Sequence, residues 1–428
     1  MRPSNIIEKI LRIAKKIIPR KLFAAAQPAY HYLLALLAAI VYRFPSRSIK
    51  IVLITGTKGK TSTTEIVNAI LEEAGYRTAS ASTLRFKVAE QENRNLYKMT
   101  IPGRFFVQRF LRQAVTAKCD WVILEMTSEG AKQFRHRFID FDALIFTNLS
   151  PEHIESHGSF ENYVDAKVSI ARALAKSTKR PRVLVANADD AHSNKFLEVE
   201  ADLKTSYALK DAEPYTLLQN ETEFSFMGAP LKSHLAGAFN LSNMLAGIAF
   251  AKTVGISPEV IRRALEKFNG IRGRVERINA GQTFEVVVDY AHTADSLEKV
   301  YEVFQNSRKI CILGGTGGGR DSWKRPEMGK IADTHCDEII LTNEDPYDED
   351  PMKIIDAIKT GITEKNVDVI LDRRLAIAEG LKRAQTGDAV IITGKGTDPY
   401  IMEANGKRTP WDDAQVAREE LKKLLSQK

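Results

Sequence analysis

Cysteine is scarce in this chain: Cys119, Cys311 and Cys336 are the only three in 428 residues. Their wide spacing matches no metal-ligand or redox motif, which points to a reducing cytoplasm. A long hydrophobic run is also lacking. The uninterrupted apolar part of the N-terminal region, Leu33 to Tyr42, is too short to span a bilayer core of about 30 Å. No small-residue cleavage site marks a secretory leader. Internal repeats and low-complexity tracts are absent, and excess basic charge is missing from the body. Residues 1–50 carry a net charge of +9, whereas the remaining 378 carry −1. The overall +8 therefore belongs to a tail, and nothing in the body suggests nucleic acid as a partner.

The tail has its own pattern. Ile6, Ile7, Ile10, Leu11, Ile13, Ile17 and Ile18 recur at helical spacing opposite Lys9, Arg12, Lys15 and Lys16, which predicts a basic amphipathic helix. After Lys21 comes an apolar stretch interrupted by Gln27, Pro28 and His31 and closed by Arg43. Residues 1–48 admit three readings: a peripheral anchor on anionic membrane, helices packed on the body or a partner, or a marginal membrane span.

An apolar content of 44% with 27% charge is that of a soluble globular protein, and the length allows two or three domains. The densest chemical signal is IVLITGTKGKTST at 51–63. An apolar, largely β-branched strand leads into Gly56, Thr57 and Gly59, then into Lys60, Thr61 and Ser62 at the start of a helical pattern. Phosphate would sit at that helix N-terminus, with Lys60 on the β- and γ-phosphates and Thr61 on magnesium. Ile54 departs from the strict GxxxxGK[ST] spacing, so the shorter GTxGKT form depends on its context.

That context is an α/β chain. WVILEM (121–126), FDALIFTNL (141–149) and RVLVANAD (182–189) read as buried strands between helical stretches, which predicts a parallel sheet in a central P-loop ATPase domain at 49–276. A hinge is expected near 268–281. EVVVDYA (285–291), KICILGG (309–315), EIILTNE (338–344), DVILD (368–372) and AVIITGKG (389–396) repeat the pattern, so 277–428 is expected to be a Rossmann-like domain. Glu125 closes an apolar strand, where a carboxylate needs a partner, and magnesium suits it. His153 and His157 share a polar loop, and Lys167 follows on a helix.

These blocks resemble the Mur ligases. TGTKGKTSTT, LEMTSEG, TNLSPEHIESHG, YVDAK, NADD, GAFNLSNMLA, GRVE, VVDYAHTADSLEKV, GRDSWKRPEMG and TGKGTD follow one another in that family's order across about 49–428, most like the MurE type. The resemblance implies ATP-driven amide formation on a muramyl-peptide precursor. A carboxylate takes the γ-phosphoryl group, and an amino acid's amine then displaces phosphate. Lys60, Glu125, His153 and Lys167 are the implied catalytic residues. Thr61, Glu125, His153 and Lys167, the last as a carbamate, are the implied ligands of Mg2+. Asn240, Arg274, Asp289 and His292 are implied to hold ATP. Thr127, Ser128, Arg320, Glu344, Asp345 and Asp398 are implied to contact substrates. A folylpolyglutamate-synthase-like ligase and a non-catalytic nucleotide-binding scaffold are the alternatives.

Departures from the family bear on specificity. Lys58 replaces a usual Asn, adding another cation beside the phosphate, Glu152 replaces an Asp, and Glu129 a His. Tyr347 replaces the arginine of the DNPR block that selects diaminopimelate, so a different amino acid is expected, with lysine favoured by the acidic residues around it. About 50 residues before Ile51 are too few for the family's UDP-binding domain, so a lipid-linked or otherwise UDP-free acceptor at the membrane is expected.

Overall fold

The computed structural model describes residues 20–319 and 322–426. The predicted amphipathic helix at 6–18 and Arg320 lie outside the described residues.

Strands β1 (Lys50–Thr55), β2 (Thr78–Ala81), β3 (Arg85–Val88), β4 (Gln91–Arg94), β5 (Trp121–Glu125), β6 (Ala143–Phe146), β7 (Val183–Asn187) and β8 (Leu203–Tyr207) form one sheet in the order β4-β3-β2-β5-β1-β6-β7-β8. The sheet is parallel from β2 to β8, and β3 and β4 add an antiparallel hairpin at one edge. Its centre is β1, between β5 and β6. Strand geometry sends alternate side chains to opposite faces. Val52 and Ile54 enter the core under helices Lys60–Glu73 and Ala238–Thr253, while Ile51 and Leu53 enter the core under Arg104–Thr116 and Phe160–Ala175. A strand buried on both faces must be apolar throughout, which is why this run shows no polar alternation.

A small antiparallel sheet, β9 (Tyr215–Leu217), β10 (Thr222–Phe226) and β11 (Ala229–Ser233), follows. The second large sheet contains β12 (Glu276–Arg277), β13 (Glu285–Val288), β14 (Lys309–Leu313), β15 (Glu338–Leu341), β16 (Val367–Val369) and β17 (Ala389–Ile392). Its order is β12-β13-β17-β14-β15-β16, parallel except for β12. The run DVILD is strand only at its start, since β16 ends at Val369, although Ile370 N still donates to Leu341 O at 3.0 Å.

Arg373 braces two loops at the strand ends of this sheet. Its guanidinium makes a bidentate contact with Asp413, at 2.8 and 2.7 Å, and donates to Thr393 O at 2.7 Å and Asn343 O at 3.3 Å. Both partners of the ion pair are fully buried. A planar guanidinium suits this task because it offers five donors in a fixed fork.

The cysteine reading needs correction. Cys311 on β14 and Cys336, just before the neighbouring β15, form a disulfide across a sequence separation of 25. Adjacent parallel strands supply the proximity that spacing along the chain conceals. Cysteine content therefore does not by itself argue for a reducing compartment. Cys119 is buried and free.

Of the three readings of the N-terminal region, packing on the body is the one that helix Arg20–Val41 displays. It lies on helix Arg104–Thr116, and Arg112 donates to the carbonyls of Tyr42 and Arg43 at its end. Among the described residues no helix is long and apolar enough to cross a membrane.

Candidate active site

Both large sheets direct the C-terminal ends of their parallel strands at one cavity of about 1200 Å3, the usual position for ligands in open α/β sheets. Strand β1 delivers the glycine loop to it. Gly56 has φ +155°, and a Cβ there would meet Thr147 Oγ1 at 1.9 Å; Gly59 has φ +80°, and a Cβ would meet Asn243 Oδ1 at 2.2 Å. Only glycine fits either place. Gly59 is the N-cap of helix Lys60–Glu73, so the free N–H groups of Lys60, Thr61 and Ser62 form an anion-binding end. Asn148 pins the loop from β6, accepting from Lys58 N at 2.8 Å on its side chain and from Thr57 N at 2.8 Å on its carbonyl. Thr57 Oγ1 bonds Tyr163 OH at 2.7 Å.

Lys60 Nζ donates to Gly56 O at 3.0 Å and Thr57 O at 2.9 Å, and Lys167 Nζ donates to Gly56 O at 2.5 Å. Lys167 is buried, whereas Lys60 is half-buried at the cavity wall. Burial lowers the Lys60 pKa against the opposing pull of Glu125. Lys167 lies well below the usual range, first through burial and then through repulsion by Lys60. Glu125, at the end of β5, accepts from Thr61 Oγ1 at 3.0 Å and from Thr83 N at 2.9 Å. His153, at φ +57°, and Lys167 both approach the Tyr163 ring, His153 at 6.3 Å between ring centroids and Lys167 Nζ at 4.8 Å from the ring centroid.

The extra cation expected at Lys58 is compensated. Its ammonium pairs with buried Glu152 at 3.2 Å, and His292 Nε2 reaches the same carboxylate at 3.5 Å from the other domain. Burial works against the Glu152 charge, but Lys58 and His292 overcome it and hold the carboxyl well below the usual range.

From the C-terminal side, Asp289 follows β13 and accepts from Val275 N and Ala291 N, each at 2.7 Å. Burial raises its pKa, with Arg274 opposing. The Arg274 guanidinium lies 4.7 Å from the Tyr290 ring centroid. Asn240 falls inside helix Ala238–Thr253, whose N-cap is Gly237, so it is not a cap. Its Nδ2 donates to Ala236 O at 2.8 Å, while its buried Oδ1 has no partner among the described residues. Asn240 and Arg274 line a second cavity of about 710 Å3, together with residues from 269 to 279. Lys167 and Gly56 lie behind the wall of the main cavity, whereas His153, Arg274, Asp289 and His292 line it.

The loop after β15 brings Glu344 and Asp345 to the cavity, and the loop after β17 brings Asp398, with Lys395 buried beside it. Lys395 is wholly buried and donates to Asp345 at 2.9 Å and Asp398 at 3.1 Å. Burial opposes its charge, but the two carboxylates hold its pKa above the usual value. Lys98 reaches the same pair from the central domain. It contacts Asp345, stands 3.1 Å from Asp398, and lies 5.9 Å from the Tyr347 ring centroid. Glu344 accepts from Thr316 Oγ1 at 2.7 Å, and its Oε2 has no partner among the described residues. Thr127 caps helix Ser128–Lys132 by accepting from Gly130 N at 3.0 Å, and Ser128 Oγ lies 3.1 Å from His157 Nε2.

Sequence reasoning passed over Lys98, Arg135 and Lys395. Lys395 stood inside the TGKGTD block, and Arg135 follows Ser128 by seven residues with a side chain buried in the cavity wall. Lys98 carried no sequence signal, since its neighbours come from the other sheet.

Comparison with known proteins gives this geometry its relatives. Residues 54–251 match the Mur ligase middle domain, and residues 273–396 match the Mur ligase, glutamate ligase domain. A UDP-N-acetylmuramoyl-L-alanyl-D-glutamate--2,6-diaminopimelate ligase from Syntrophomonas wolfei is 35% identical over 406 residues, covering 91% of this chain and 81% of that protein. A UDP-N-acetylmuramyl-tripeptide synthetase from a Roseiflexus species is 35% identical over 418 residues, with 91% and 82% covered. A solved UDP-N-acetylmuramoyl-L-alanyl-D-glutamate--2,6-diaminopimelate ligase superposes with a TM-score of 0.60 at 28% identity, over 88% of this chain and 78% of that one.

Proposed function

The chain belongs to the Mur ligase family, and from that premise we propose that it is an ATP-dependent ligase joining an amino acid to a carboxylate of a muramyl-peptide precursor. The observation that carries the reading is one cavity lined both by the phosphate loop and by the paired acidic and basic cluster of Lys98, Asp345 and Asp398. A carboxylate is a poor electrophile. Transfer of the γ-phosphoryl group to it releases ADP and installs a leaving group; the amine then attacks, and phosphate departs as the amide forms. Bringing two anions together needs dense positive charge, which Lys60, the helix N-terminus and Arg274 provide. Asn240 Oδ1 supplies an acceptor suited to the amino group of the base.

Magnesium fits the residues present. It takes one or two carboxylates and completes its shell with phosphate and water; Thr61 and Glu125, 3.0 Å apart beside the loop, would hold it. Among the described residues no larger acid, histidine and cysteine cluster occurs, so phosphate oxygens and water would have to supply the remainder. The ion would offset charge on the phosphoryl group. His153 and a carbamate on Lys167 are proposed for a second ion. Burial favours the neutral Lys167 amine, the form that adds to carbon dioxide.

The added amino acid is proposed to be cationic, with lysine the first to test. Asp345 and Asp398 already hold two alkylammonium groups, those of Lys98 and buried Lys395, and the Tyr347 ring lies beside Lys98. Lys98 enters this cluster as a side-chain ammonium, so this part of the cavity suits a spectator side-chain cation of the substrate. Residues 1–48 are proposed to bring the enzyme to an anionic membrane. The test is phosphate release with ATP and magnesium across muramyl-dipeptide, lipid-linked and pteroylglutamate acceptors, each with a panel of amino acids. Absence of amino-acid-dependent release in every combination overturns the ligase reading, and release with pteroylglutamate and glutamate alone replaces the acceptor.

A further inference from the structure

Helix Arg20–Val41 is built inside out for a helix on a soluble surface. Its small residues Ala35, Ala38 and Ala39 face the body, at 0–2% exposure, whereas Leu33, Leu37, Ile40 and Val41 face outward at 62, 49, 53 and 55%. Those four, with Tyr30, recur at three- and four-residue spacing and make one apolar stripe. No Asp, Glu, Lys or Arg occurs from Leu22 to Tyr42. A contiguous exposed apolar face of this kind marks a contact surface.

Charge selects the partner. Residues 1–50 contain ten Lys or Arg against Glu8, so cations flank the stripe on both sides in the chain. An apolar strip with flanking cations matches the boundary between acyl chains and anionic headgroups, and a helix unable to cross the membrane lies along it.

The helix also has a meaningful place on the body. Tyr32 packs against Phe138 and Phe134, at 5.0 and 6.4 Å between ring centroids, and His31 contacts Arg104. Arg104 donates to Gln133 O at 2.8 Å. Gln133, Arg135, Met99 and Thr100 line the main cavity. Met99 is 46% exposed and Tyr97 56% exposed, and Tyr97 lies 6.0 Å from Phe106 on the helix beneath. Contacts running from His31 through Arg104 to Gln133 therefore join the helix to this side of the cavity, whose mouth also carries exposed Met99.

We propose that the outward face of helix Arg20–Val41 lies on anionic lipid and sets this mouth of the cavity at the membrane surface, where a lipid-anchored acceptor enters. The lipid contact stands on the helix alone; the acceptor clause rests on the ligase reading. The test uses the full chain and the variant Leu33→Glu/Leu37→Glu/Ile40→Glu, floated with phosphatidylglycerol vesicles and with phosphatidylcholine vesicles. The wild type should float with the anionic vesicles, less so at high salt, and the variant at least tenfold less. Both should release phosphate equally with a soluble muramyl-dipeptide acceptor, while the variant should lose turnover of a lipid-anchored acceptor in vesicles. Equal flotation of the two proteins overturns the proposal. So does a wild-type dimer in sedimentation that the variant dissociates, since a second copy would then cover the stripe. A lower unfolding temperature for the variant also overturns it, because the stripe would be covered by this chain. Flotation as expected with no phosphate release from any acceptor would sink the ligase reading and leave the lipid contact standing.

Discussion

Replacing Lys98 by methionine should tighten the binding of the amino acid. The ammonium of Lys98 contacts Asp345 and lies 3.1 Å from Asp398, in the place assigned to the cationic end of the substrate. A unit-charge pair at that distance is worth about 5 kcal/mol gross at an effective dielectric of about 20. Most of this is cancelled. The Lys98 side chain retains 16% exposure, and burial together with the neighbouring Lys395 depresses its pKa. Exposed pairs yield up to about 1 kcal/mol net, and desolvation can offset the Coulombic gain of a buried pair, so about 1 kcal/mol is the net value here. An incoming ammonium must overcome that contact before it can pair with the same carboxylates. Lys98→Met removes the competitor while keeping most of the apolar stem, so the KM for lysine should fall by about fivefold, with kcat and the KM for ATP little changed. The assay is lysine-dependent phosphate release at saturating ATP and acceptor. A raised KM would refute the reasoning, because Lys98 would then hold the substrate; a tenfold loss of kcat would place it in the chemical step.

Other outcomes follow from groups elsewhere. Lys167→Ala should abolish turnover while leaving ATP affinity within about twofold, measured by calorimetry, since Lys167 lies behind the loop; full activity would remove the carbamate role. Asp413→Ala strands the buried Arg373 guanidinium and should cost about 3–5 kcal/mol in urea unfolding. His136 is buried with neither ring nitrogen partnered among the described residues, and burial followed by Arg137 pushes its pKa down to about 3. The unfolded chain takes up this proton near pH 6.5 and the folded chain does not, so stability falls as pH drops from about 6.5 toward 3. Between pH 7 and 5 the loss from this residue is about 2 kcal/mol, and His136→Leu should reduce the measured difference by that amount.

The central sheet was legible because strands buried on both faces must be continuous apolar runs, and WVILEM, FDALIFTNL and RVLVANAD are such runs. The hairpin β3–β4 was not, since its residues are half-buried or exposed and its polar sequence QENR carries no strand period. Glycine positions in the phosphate loop were legible because positive φ and close approach leave glycine no substitute. The pairing of Lys58 with Glu152, 94 residues apart, was invisible, and so a compensated pair read as an added cation.

By itself the sequence determined the phosphate loop, the α/β class, the chain-order blocks that placed the site, and the confinement of net charge to the first 50 residues. These are local facts, written in spacing and side-chain type. Tertiary structure decided which carboxylates share an ammonium, that Cys311 and Cys336 meet, and that the apolar side of Arg20–Val41 faces outward. Each depends on elements far apart in the chain being packed together. Periodicity can show that a helix has an apolar side, but only its packing against Arg104–Thr116 shows which side is left for a partner.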